Sequence, residues 1–145
     1  MDMYLDILTR EQKELLPLIS QFKREFYLVG GTAIALQKLD LGKIIKIPDL
    51  ISLGAMKAFA LGRRSKWKDY VDLYFLLKNN YGLKEIVNKS IAIYGQEFSE
   101  KLFRAQLAYH EDIDYSEKVE FLPGFEVDEN EIKAFLINVA LEGFD

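Results

Sequence analysis

The sequence predicts an α+β domain, with a small sheet of short strands near the front packed by a predominantly helical remainder. Three observations carry this expectation. Apolar residues recur at helical spacing along most of the chain. Tyr27-Leu28-Val29 is a short apolar run ending on Gly30-Gly31, and Lys43 to Ile47 alternates weakly, as strands do. No linker, repeat or low-complexity tract divides the 145 residues, so they are most simply one domain, 1–145, with a front part to residue 82 and a helical part over 83–145.

Each element has its own reason. Thr9-Arg10-Glu11-Gln12 reads as a capping box, and Leu15, Leu16, Ile19, Phe22 and Phe26 continue it as an amphipathic helix over about residues 9–24. Tyr27 to Val29 is a buried strand, Gly30-Gly31 a sharp turn, and residues 32–38 a short helix. Pro48-Asp49 opens a helix that runs to about Leu61 and stops at Gly62. Ser65 is placed to cap the next helix, about 66–78, which Asn79-Asn80-Tyr81-Gly82 ends. Leu83, Ile86, Val87 and Ile91 mark another helix, and Phe98, Leu102, Ala105 and Leu107 a further one that ends near His110. Residues 112–127 are acidic and irregular, with a turn at Pro123-Gly124. Asp128 caps a last helix whose apolar face is Ile132, Phe135, Leu136, Val139 and Ala140.

Composition narrows the chemistry. There is no cysteine and one histidine, His110, so disulfides, thiolate zinc sites, cysteine nucleophiles and histidine-rich metal sites are excluded. The N-terminus is acidic where a signal peptide is basic, and the longest apolar run is too short to span a bilayer. A soluble, cytoplasmic protein with no membrane partner is expected. Net charge is −4, unevenly spread. Residues 38–68 hold eight basic and two acidic side chains, whereas residues 111–145 hold eleven acidic and two basic ones. The basic middle is either a local anion site or a solvated face.

Two motifs carry function. In the first, Val29-Gly30-Gly31-Thr32-Ala33, the glycines let the backbone turn sharply and approach a ligand, and the start of the following helix favours a phosphate. The second contains Lys57, Arg63, Arg64, Lys68, Asp69 and Asp72. Asp69 and Asp72 share a helix face and are spaced to bond the arginines or Lys57. A salt-bridge network between two helices explains the same residues without a ligand. Trp67 and Tyr70 suit core packing better than stacking on a base.

Together these motifs resemble the AbiEii/AbiGii-type toxin family, nucleotidyltransferases of the DNA polymerase β superfamily found in abortive-infection and toxin–antitoxin systems. The resemblance implies a nucleotidyltransferase-like core over 1–82. It implies that Gly30, Gly31, Thr32, Lys57, Arg63, Arg64 and Lys68 bind nucleotide phosphate, that Lys57 and Asp69 are the catalytic positions, and that Asp72 supports them. The family also carries a pair of metal-binding aspartates just after the glycine motif. Here residues 37–48 contain only Asp40. The sole Asp-x-Asp pair, Asp112 and Asp114, lies in the acidic loop near the C-terminus and is set aside as a metal site. A truncated nucleotidyltransferase fold with impaired catalysis follows, with Mg²⁺ needed only if transfer survives. A nucleoside triphosphate or RNA is the expected ligand, a cognate antitoxin or full-length relative the expected protein partner, and a homo-oligomer the way to cover an exposed sheet edge. The rival readings are an active Mg²⁺-dependent enzyme with unrecognised or partner-supplied carboxylates, and a protein-interaction or antitoxin-like regulator.

Overall fold

The computed structural model of the chain describes Thr9, Arg10, Glu14 and residues 48–143. The chain forms two compact units, residues 1–53 and 54–145. In the first, Arg10 and Glu14 are helical and form an exposed ion pair of 3.0 Å. The expected strands at 27–29 and 43–47, the glycine turn, the helix at 32–38 and most of the first helix, including the Gln12 half of its capping box, lie outside the described residues.

The described part is helical, which corrects the α+β expectation. Five α-helices follow in order: α1 Leu50–Leu61, α2 Trp67–Asn79, α3 Leu83–Tyr94, α4 Glu100–Ala108 and α5 Glu129–Leu141, with a 3₁₀ turn Gly95–Glu97 before α4. Among the described residues there is no strand and no sheet. The one extended pairing is an isolated parallel bridge between Lys66 and Asp114. Ridged helix faces, not a pleated layer, bury the apolar residues of this part.

Asp49 opens α1 by accepting the Ser52 N–H at 2.8 Å. The helix is apolar nearly all round, so it is a buried element, and Lys57 is its only charged residue. At position 54 α1 lies against both neighbours: a Cβ there would meet Ile86 of α3 at 3.4 Å and Leu76 of α2 at 3.7 Å, ordinary van der Waals distances. The five-residue connection 62–66 then turns the chain into α2. This helix is buried along Trp67, Tyr70, Val71, Leu73, Tyr74 and Leu76. Trp67 and Tyr70 are therefore core residues, 9% and 0% exposed.

Helix α5 packs against both α2 and α4. Its buried stripe is Ile132, Leu136, Val139 and Ala140, an i, i+4, i+7, i+8 pattern that presents one face. Asp128 caps it through the Asn130 N–H at 2.8 Å. On α4 the apolar face is not the expected one. Phe98 is extended and precedes the helix, which Ser99 caps by accepting the Leu102 N–H. Starting there puts Phe103 and Leu107 inward and leaves Leu102 65% exposed. On α3 the inward stripe is Leu83, Ile86, Val87 and Ser90, so Ile91 falls beside it and is exposed.

Ser65 does not cap α2. The helix starts at Trp67, whose N–H donates to the Asp114 carbonyl at 3.0 Å, while the Asp114 N–H donates to the Ser65 carbonyl at 2.7 Å. The Ser65 hydroxyl instead donates to Asp112. A segment some fifty residues later in the chain thus satisfies the first N–H of α2, that of Trp67.

His110 closes the end of α4. Its Nε2 lies 2.8 Å from the Leu107 carbonyl, and its ring meets Tyr70 edge-on at 5.6 Å. Burial lowers its pKa below the usual histidine value, against the raising effect of the Leu107 hydrogen bond, with Lys133 lowering and Glu129 raising it. The folded state binds this proton less readily than the unfolded one. Its contribution is complete above the unfolded pKa of about 6.5 and is lost as pH falls below it. Urea unfolding at several pH values between about 7 and 5 should show a decline that His110→Gln flattens; an unchanged slope in the variant would place the proton uptake elsewhere.

Candidate functional site

The second motif converges on one buried cluster between α1 and α2. Lys57 is 5% exposed and Asp69 is fully buried. The Lys57 ammonium lies 2.8 Å from Asp69 Oδ1 and 2.6 Å from Asp72 Oδ2. Arg64 forks onto the same Asp69 carboxylate, Nε to Oδ2 at 3.0 Å and Nη2 to Oδ1 at 3.4 Å. Two cations and two carboxylates balance, and both Asp69 oxygens are occupied. Local sequence explains the arrangement. Asp69 lies in the first turn of α2, where the helix dipole favours a negative charge, and Asp72 follows one turn later on the same face. The tight connection after Gly62 carries Arg64 back over that turn.

The electrostatics follow from burial. Desolvation pulls the Lys57 pKa down, but the charges and hydrogen bonds of Asp72 and Asp69 outweigh it and leave it raised. The stability Lys57 contributes is therefore present below the ordinary lysine value and lost as pH rises through the folded one. Asp72 is also raised, chiefly by burial, with Lys57 pulling it back. That carboxyl holds its proton more tightly folded than unfolded, so its contribution falls as pH rises through the carboxylate range.

The remaining basic residues of the motif are matched by carboxylates as well. Arg63 is 61% exposed, lies over the Phe59 ring at 4.2 Å and reaches Glu97 at 3.4 Å. Lys68 pairs with Glu117. Lys66 pairs with Asp114 at 2.7 Å and Glu117 at 3.3 Å. The acidic loop after α4 thus folds against the basic segment at the head of α2. This explains why two strongly biased stretches coexist in one chain, and only the long-range contact reveals it.

Gly30, Gly31 and Thr32 lie outside the described residues. Asp112 and Asp114 are described and serve as anchors. Asp112 accepts from Ser65 at 3.0 Å and from Gln106 at 3.3 Å. Asp114 binds Lys66 and accepts the Ser116 N–H, and the Lys66 bond leads in holding its carboxyl well below the usual range. Among the described residues no three carboxylate or histidine side chains converge as a metal site. Both oxygens of Asp69 and Oδ2 of Asp72 already face cations.

Sequence reasoning missed Gln106. Its amide donates to Ser65, Asp112 and the Tyr70 hydroxyl, at 2.9, 3.3 and 2.8 Å, and so links α4, the acidic loop and α2. A lone polar residue among charged neighbours on an amphipathic helix gives no local sign of that role. No helix of the described residues is long and apolar enough to cross a membrane. No protein-family model matches the chain, and no curated protein or solved structure matches it.

Proposed function

We propose that the chain is a nucleotidyltransferase-like protein related to abortive-infection toxins, without transfer activity of its own, that binds nucleotide or RNA phosphate through Arg64 and Arg63. The observation that supports this is the fork of Arg64 on Asp69. A buried carboxylate, itself held by Lys57, orients a guanidinium that is half exposed. Held in this way, the guanidinium offers part of its fork to a phosphate at small entropic cost. Arg63, the preceding residue, adds a second exposed cation, held by Glu97. Lys57 acts here by positioning, because two carboxylates already surround its ammonium.

Calorimetric titration of the four ribonucleoside triphosphates, with and without Mg²⁺, tests the reading. Binding is expected without Mg²⁺, weakened roughly tenfold or more in Arg64→Ala, as for the loss of one charge-assisted contact. Arg64 is half exposed, so this variant keeps the fold, whereas Lys57→Ala removes a buried charge. Binding that needs Mg²⁺ and comes with transfer would favour the active enzyme. No binding in either condition would reject the phosphate reading and leave protein association as the role.

A further inference from the structure

The geometry points to self-association in which the turn at Leu122–Phe125 of one copy enters the groove between α4 and the end of α5 of a second, and the reverse. The turn is preformed. Pro123 and Gly124 occupy its central positions, Gly124 has φ of +83°, and the Phe125 N–H donates to the Leu122 carbonyl at 3.0 Å. This is the pattern of a type II turn, which needs a residue tolerant of positive φ at its third position and sets its first and last residues side by side. Phe121 anchors the base against the Phe75 ring, 6.3 Å away. Leu122 and Phe125 are left 46% and 55% exposed, between the exposed acids Glu120 and Glu126. Two large apolar side chains on a rigid tip cost little entropy to bury.

The groove suits that tip. It encloses about 660 Å³, with Ala105, Ala108 and Ala140 as its small floor and the half-exposed Leu141 as a wall. The Arg104 guanidinium braces it, donating to the carbonyls of Ala140 and Glu142 and neutralising Glu100 at 2.8 Å. Lys101 is exposed on its rim and supplies the charge opposite to Glu126, whereas Glu120 already pairs with Lys118 at 3.1 Å. The charges set orientation and the apolar pair supplies the burial. Two reciprocal contacts close a two-fold dimer without continuing into a fibre.

Sedimentation equilibrium of the full chain tests this. A monomer–dimer equilibrium with Kd on the order of micromolar to hundreds of micromolar is expected, as for a small interface. Phe125→Asp and Ala108→Glu each alter an exposed position. Both should give monomers with unchanged circular dichroism. The chain has no cysteine, so pairing can be read directly by oxidation. A mixture of Glu126→Cys and Lys101→Cys chains should form the mixed disulfide dimer well above either like-with-like dimer. A wild type that stays monomeric to about 1 mM overturns the proposal. So does a dimer that neither substitution weakens, or cross-linking with no preference for the mixed pair.

Discussion

Asp69→Asn should cost about 3–5 kcal/mol of folding stability, the cost of leaving a buried charge without its partner. Asp69 is fully buried and accepts from both Lys57 and Arg64. Removing its charge leaves the Lys57 ammonium, 5% exposed, with Asp72 alone. Asp72→Asn should cost less, about 1–3 kcal/mol. Its side chain is 21% exposed, and burial already raises its pKa, so part of its worth is spent on desolvation. Urea denaturation measures both, with the midpoint falling and the slope unchanged if only stability is affected. A second comparison separates charge from shape. Adding Lys57→Met to Asp69→Asn should recover part of the loss, because an apolar side chain suits the otherwise apolar helix α1. Equal losses for Asp69→Asn and Asp72→Asn would show that the two carboxylates share the load evenly, contrary to their burial.

Leu136→Ala should cost about 2–5 kcal/mol through lost burial and the cavity left behind. Leu136 is fully buried in the stripe that α5 turns toward α2 and α4. Its neighbour Ile137 is 36% exposed on the other side of the helix, and Ile137→Ala should stay within about 0.5–1 kcal/mol. Thermal and urea unfolding of the pair would check the difference. Similar losses at both positions would mean that α5 is rotated from the face described.

The helices over 48–143 were legible because their causes are local. Asp49 and Asp128 are good N-caps, Gly62 and the Asn79-to-Gly82 stretch are stops, and the α5 stripe recurs at helical period. The shared face of Asp69 and Asp72 was also readable from their i, i+3 spacing, with the arginines and Lys57 both open as partners; the structure places Lys57 against both and Arg64 against Asp69. Local pattern failed where a distant partner took over. Ser65 looked like a cap, but the carbonyl of Asp114 accepts from the head of α2. Leu102 looked apolar enough for the core, but the helix start at Ser99 set a phase that turned Phe103 inward.

By itself, then, the sequence determined that helices fill most of this stretch, that Asp69 and Asp72 share a helix face, and that cysteine chemistry is excluded. Capping, periodicity and composition act within a turn or two of chain. The tertiary structure alone decided that the acidic loop neutralises Lys66 and Lys68, that Gln106 joins three segments, and that Leu122 and Phe125 stay exposed. Among the described residues it also shows helices and loops with no sheet. Those outcomes depend on which surfaces meet across about fifty positions, and no short-range rule encodes that choice.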